Sequence, residues 1–377
     1  MSGEHGATES ARPEGTGLQV LPVRGIGEVS PGDDLAAMIV EAAPWLRDGD
    51  VLIVTSKIVS KAEGRLVDLP SEEPERTAVR EETLAAETAR VVARRGQTRI
   101  VQTHHGFVMA SAGIDASNVE SSRLVLLPKD PDASARALRA ALRERYGLDV
   151  AVIISDTMGR PWRNGLTDVA LGAAGIPPIR DYRGEVDPYG NPLHVTEMAV
   201  IDELAAAGEL VKGKVDRVPV AVIRGYLDRA EPEDGPGAVA LVRDASMDLF
   251  SLGTAEARAA GLRAAATLTD SPAPGSAADP AAVADAIVAV ADAIAPGTTF
   301  THVTDQTVRA ELAPAGPAEA AGLIVCQVSR TAPADLVRLG ADLHRLRAAL
   351  AANGVASTPL PVPEHVAART PFAVLAL

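Results

Sequence analysis

Short wholly apolar runs alternate along this chain with stretches in which apolar side chains recur every three or four positions, a pattern of strands interleaved with helices. The run at 18–23 (LQVLPV) predicts a first strand, 24–29 a glycine-marked loop, and 33–46 a helix opened by Asp33 and Asp34. VLIV at 51–54 reads as a strand buried on both faces. Residues 72–95 read as a charged helical stretch broken early by Pro74, and 100–110 as a hairpin around His104 and His105. A strand at 123–127 and a helix at 132–146, stopped by Gly147, lead into a second apolar strand at 149–154. Beyond it the pattern predicts a small-residue helix at 167–175, a loop at 179–193, a helix at 197–208 and a strand at 218–225. EPEDGPG at 231–237 is the clearest linker signal. After Gly253 the chain turns alanine-rich, with helices expected at 281–295 and 332–352 and a last strand at 372–377. The expected class is α+β, a mixed α/β sheet followed by a small Ala-rich α/β domain.

Composition narrows this picture. The chain has 377 residues, enough for two or three domains, with 47% apolar and 23% charged residues, as in ordinary globular proteins. Aromatics are only 3%, so the core must be aliphatic. A formal charge of −14 argues against a general nucleic-acid or membrane-surface binder. The one cysteine, Cys326, excludes an internal disulfide and lies in the apolar run 323–328, where a buried small hydrophobe is the simplest role. No apolar stretch reaches membrane-spanning length, and 1–16 is too polar for a signal peptide. A disordered leading tail and a cytoplasmic location are expected.

Polar residues gather where apolar strands end. Ser155-Asp156-Thr157-Met158-Gly159-Arg160-Pro161-Trp162-Arg163-Asn164-Gly165 follows the 149–154 strand and brings a carboxylate, a hydroxyl and two guanidiniums to one rim of a sheet. Such oxygens can hold a hard cation, and Arg160 and Arg163 can clamp the phosphates it escorts. The plainer alternative is a turn, with Asp156 as a helix cap. The 51–54 strand releases Thr55-Ser56-Lys57-Ile58-Val59-Ser60-Lys61, suited to an anion or equally to an exposed basic turn. In Ser111–Val119, Asp115 and Asn118 would share one side of a helical turn, or Asp115 or Ser117 would serve as a cap. Three polar loops leaving three apolar strands are where ligands bind in open α/β sheets.

Taken together, Ser56…Ser60-Lys61-Ala62-Glu63-Gly64-Arg65, then Ala112-Gly113-Ile114-Asp115-Ala116-Ser117-Asn118, then Asp156-Thr157-Met158-Gly159-Arg160 closely resemble the coenzyme F420-0:L-glutamate ligase family. The loop Leu21-Pro22-Val23-Arg24-Gly25-Ile26-Gly27-Glu28-Val29 and Val195-Thr196-Glu197 keep the same order. The resemblance spans roughly 18–250. It implies a two-part α+β ligase fold, a homodimer, and amide-bond formation between L-glutamate and a carboxylate of the deazaflavin coenzyme precursor F420-0 or its glutamylated products. The implied chemistry runs through an acyl phosphate made from GTP, with two magnesium or manganese ions and potassium. Carried across, metal positions fall on Asp115, Asp156 and Thr157. Nucleotide positions fall on Ile26, Gly27, Glu28, Val29, Ser56, Lys57, Lys61 and Asn118. Asp156 is expected to be catalytic as well, and roles for Arg160, Arg163 and Glu197 are inferred from charge.

Residues 18–247 are thus expected to form the ligase domain. Asp248-Leu249-Phe250-Ser251-Leu252-Gly253-Thr254 resembles the junction of relatives fused to a nitroreductase-like flavin domain. The remainder lacks the arginine-rich opening such a domain uses for flavin phosphate. Residues 248–377 are therefore read as a shortened remnant without FMN. Two other readings remain open at this stage: an amide ligase with a different acceptor, and a non-catalytic nucleotide-binding scaffold. The scaffold predicts losses at the metal positions, yet Asp115, Asp156 and Thr157 are all present.

Overall fold

A computed structural model describes residues 17–115, 122–194, 196–244, 246–269, 278–305, 307, 322–329, 332–361 and 372–377. The chain divides into two compact units, Met1–Gly253 and Thr254–Leu377.

The first unit runs β1 (Gln19–Val23), α1 (Leu35–Ala42), β2 (Val51–Thr55), α2 (Ser56–Ala62), β3 (Leu66–Asp68), α3 (Glu75–Ala86), β4 (Thr88–Arg95), β5 (Thr98–Thr103) and β6 (Val108–Ala110). It continues with β7 (Arg123–Val125), α4 (Pro131–Tyr146), β8 (Ala151–Arg160), β9 (Arg163–Ala174), β10 (Arg180–Asp181), β11 (Glu197–Met198), α5 (Val200–Lys212) and β12 (Val220–Arg224). Its main sheet has the order β1-β12-β2-β8-β9, in which only β2 and β8 run parallel. The sheet is therefore mixed, as the strand–helix alternation predicts. Alternation along the strands splits its core in two. Leu52, Val54, Val152 and Ile154 pack with Ile39 of α1 and Leu142 of α4, while Ile53, Ile153 and Ile223 pack with Ile201 and Leu204 of α5.

Local chemistry accounts for the helix ends. The Asp34 carboxylate accepts the Ala37 N–H at 3.1 Å and opens α1, a cap worth about 1 kcal/mol. Asp130 caps α4 in the same way, and Gly147 ends it with φ 68°, a conformation glycine adopts without steric cost.

Three elements depart from the sequence reading. Residues 167–175 are not a helix but most of β9, paired along β8. Their small side chains reflect close packing rather than helix formation. A Cβ on Gly172 would stand 2.2 Å from the Pro131 carbonyl oxygen at the start of α4. Helix α3 stops at Ala86, and 88–95 forms a strand because β5 offers Thr88, Val91 and their neighbours a ladder. The glycine–proline stretch 231–237 is not a linker. Arg139, 1% exposed, reaches from α4 to the Asp234 carboxylate at 2.6 Å and to the Glu231 carbonyl. That stretch is thereby tied into the first unit. Residues 248–253 join it too, since Ser251 accepts from Arg90 and the Gly253 N–H donates to Val92.

The second unit holds α6 (Thr254–Ala266), α7 (Pro280–Val290), β13 (Thr298–Val303), β14 (Leu323–Val328), α8 (Pro333–Ala352), β15 (Thr358–Leu360) and β16 (Phe372–Ala376). Its strands form an antiparallel sheet in the order β13-β14-β16-β15. Cys326 lies in its core beside Val283, Leu346 and Leu375, and burial pushes the thiol up to about 12, far from a nucleophile's range. No helix among the described residues is long and apolar enough to cross a membrane.

Candidate active site

The polar rim begins where the parallel pair β2–β8 ends. Thr55 stands beside Ser155 in register, and from there the two strands part. The first turns at once into α2, while β8 continues through the polar sequence to Arg160 and folds back as β9. The stretch 155–160 is thus a strand rather than the loop expected from the sequence. Its residues alternate between faces, so Asp156, Met158 and Arg160 share one side and Ser155 and Thr157 the other.

On the first side, the half-buried Asp156 accepts a hydrogen bond from Ser56 at the start of α2 and one from the Thr157 N–H at 2.8 Å. Burial, helped by the nearby charges of Asp168 and Asp115, pushes the Asp156 carboxyl up to about 6. Asp115 arrives from another direction. It is not on a helical turn but bridges Val125 in extended geometry, each donating an N–H to the other at 2.9 Å. Its carboxylate meets the Lys57 ammonium at 2.5 Å.

Lys57 and Lys61 are four residues apart on α2 and so share a helix face. Lys61, 7% exposed, is 2.5 Å from the Glu28 carboxylate. Helix α2 therefore joins the carboxylate rim to the loop 24–29. In that loop the Ile26 and Val29 side chains belong to the core, which leaves backbone, Gly27 and Glu28 to face a ligand. Arg24 to Gly27 line an open cleft of about 380 Å³ against α1.

The other side of β8 carries a buried network that the sequence did not disclose. Lys212, at the last turn of α5, bonds both Ser155 Oγ and Asp168 Oδ2 at 2.9 Å. Ser155 Oγ also donates to Asp168 Oδ2, and Thr157 Oγ1 donates to Asp168 Oδ1, at 2.9 and 2.8 Å. Burial works to raise the Asp168 carboxyl, but the Lys212 charge and these bonds outweigh it and hold the carboxyl below its ordinary value. Lys214 reaches the Thr157 hydroxyl from outside. Asp168 was hidden because 167–175 read as a helix. Paired as a hairpin, it falls directly opposite Thr157. Lys212 carried no signal, since a lysine ending a helix is usually solvated.

Of the expected site residues, Ser56, Lys57, Asp115 and Asp156 come together, with Lys61, Glu28 and Gly27 one helix turn away, whereas the Thr157 hydroxyl lies on the other face of β8 with Asp168. Arg160 continues along the Asp156 face of β8, its Nη1 buried with no hydrogen-bond partner among the described residues. Arg163 begins β9 and is exposed. Glu197 is exposed and 2.9 Å from Arg183, within the β10–β11 pair. Asn118 lies outside the described residues. Among the described residues no three His, Cys, Asp or Glu side chains stand together as a ready metal cage.

Comparison with known proteins identifies the family. The F420-0:Gamma-glutamyl ligase family matches the chain over residues 25–225, which include every polar rim described above. A protein named Coenzyme F420:L-glutamate ligase from Methanopyrus kandleri is 43% identical over 249 residues, 62% of this chain and 97% of the relative. Proteins of the same name are 43% identical in Methanothermobacter thermautotrophicus, over 62% of this chain and 99% of the relative, and 43% identical in Haloarcula marismortui, over 62% and 95%.

Proposed function

This chain belongs to the F420-0:gamma-glutamyl ligase family, and from that premise we propose that it joins L-glutamate to F420-0 and to its glutamylated products at the expense of GTP. The observation that carries the reading is the convergence of Asp115 and Asp156 with Ser56 and Lys57 at the end of the parallel strand pair. An oxygen of the acceptor carboxylate attacks the γ-phosphorus of GTP, and GDP leaves. The glutamate amine then attacks the acyl carbon, sheds a proton and expels phosphate. Such transfers ask the protein for alignment and charge neutralisation more than for covalent chemistry.

The donor set suits magnesium or manganese. It is all oxygen, and such ions commonly take one or two carboxylates from the protein and complete their shell with substrate phosphates and water. Asp115, Asp156 and Thr157 would hold two such ions, which when bound neutralise the phosphate charge; potassium is a further expected cofactor and FMN is not. The remaining work falls to the chain itself. Ser56 orients the Asp156 carboxylate. Asp168, charged and anchored by Lys212, holds the Thr157 hydroxyl in position. Lys57 and Lys61 exchange their present carboxylate partners for phosphate oxygens, and the 26–29 backbone borders the nucleotide. Arg160 and Arg163 extend the cationic side toward the reacting phosphoryl group. We read the active form as a cytoplasmic homodimer and residues 254–377 as a flavin-free appendage.

Mass spectrometry of F420-0 incubated with the protein, GTP, manganese and L-glutamate tests this reading. Mass gains in steps of one glutamyl residue, dependent on GTP and metal, are expected. A folded, GTP-binding protein that adds no mass would point to a different acceptor.

A further inference from the structure

Strand β9 is the outer strand of the main sheet, and a cleft of about 370 Å³ lies between it and the small sheet β4–β5–β6. That volume is in the range of small-ligand sites. One wall is Val169, the residue directly opposite Asp156 in the β8–β9 ladder, where side chains stand about 5 Å apart. Met158, two residues along the Asp156 face, lines it too. The cleft therefore starts beside the metal-binding carboxylate and runs away from it.

Its surface has a definite chemistry. Phe107, stacked on His105, and Phe250, edge-on to Trp162, supply aromatic rings, and Arg90 and Arg243 supply positive charge. Arg90 is fixed by Gln102 at 2.6 Å and the Ser251 carbonyl at 2.5 Å, whereas Arg243 is exposed. Two carboxylates also line the cleft. Asp202 accepts the Ala170 N–H at 2.8 Å and Asp248 the Phe250 N–H at 3.0 Å, so each is partly engaged by backbone.

We propose that this cleft seats the acceptor, its flat ring system against Phe107, Phe250 and Met158 and its anionic arm along Arg90 and Arg243, with the carboxylate to be ligated at the Asp156 end. The other two substrates fit it poorly. Free glutamate is small and has no use for aromatic walls. The nucleotide has its residues on the α2 side, around Gly27 and Lys61. The proposal rests on the ligase reading and assigns residues to its specificity for a planar heteroaromatic, anionic acceptor.

Arg243→Ala and Phe250→Ala in the full chain test it, since both side chains are exposed and their removal leaves the core intact. Each should raise the KM for F420-0 about tenfold, the worth of one stacking or cationic contact. The KM values for GTP and glutamate should stay within about twofold, as expected for residues that touch neither. Equilibrium dialysis of F420-0 alone should show the same weakening. Native ligation with an unchanged acceptor KM and unchanged dialysis in both variants would overturn the cleft and leave the ligase reading standing. A native protein that neither binds nor glutamylates F420-0 would overturn both.

Discussion

Each unit of this protein buries an aspartate almost completely, and the two have different consequences. Asp168 in the first unit is 2% exposed and pairs with Lys212, itself 2% exposed. Asp342 in the second is 1% exposed and accepts from the Ala295 N–H and Thr298 Oγ1, both at 2.9 Å, and from Arg345 at 2.6 Å. The physical requirement is common to both, because a buried charge must be compensated. What differs is where the network ends. Around Asp342 the partners are a backbone N–H, a strand hydroxyl and an exposed arginine, so the group ties α8 to the segment entering β13. Around Asp168 the second oxygen holds Thr157, whose neighbour Asp156 faces the proposed metal site. A buried acid is thus a structural tie in one unit and a positioning device in the other.

The strongest way to sharpen that contrast is Asp156→Ala. Turnover should fall on the order of 10³-fold, with unfolding free energy changed by less than about 1 kcal/mol, read by steady-state kinetics and denaturant titration. Retained activity would remove Asp156 from the site. Chelation of divalent ions should abolish turnover as completely and restore it on adding manganese. Next, Lys212→Met strands the Asp168 charge and should cost about 3–5 kcal/mol of stability. The double variant Lys212→Met/Asp168→Leu should regain much of that stability but not the turnover, since Thr157 would lose its anchor. Recovery of both would make Asp168 merely structural.

In the second unit, Asp342→Ala should cost about 1–3 kcal/mol of stability and leave ligation per folded molecule unchanged. A specific loss of ligation would place that network in function. The smallest effect is expected from ending the chain after Gly253, which should leave the ligation rate within about twofold of the full chain, as for a change remote from the reacting groups. Ending it at Arg243 instead removes Ser251, which holds Arg90, and Phe250, which meets Trp162 at 4.4 Å, and should raise the KM for the acceptor.

Two of the polar rims, at 55–61 and 155–160, were legible because each follows an apolar run. VLIV at 51–54 and VII at 152–154 read as buried strands, and polar groups at the end of such a strand have few places to go. The polar groups themselves were visible without coordinates, while their assignment to metal and nucleotide is what the family resemblance implies. The error at 167–175 arose because Ala and Gly are admissible in helix and strand alike. Their reason for being there, contact with the start of α4, is a long-range one. EPEDGPG misled for a related reason. Its composition describes a chain that can turn, and the buried Arg139 that holds it lies on a distant helix.

The sequence by itself determined the alternation of elements, the Asp34 and Gly147 helix ends, the aliphatic core and the family to which the chain belongs. These rest on local spacing and on residue types whose backbone preferences are strong. Tertiary structure alone decided that β8 and β9 form one long hairpin, that Asp168 lies opposite Thr157, and that Lys212 is buried beneath both. Burial, pairing and charge compensation depend on which segments meet, and no short stretch of chain carries that information.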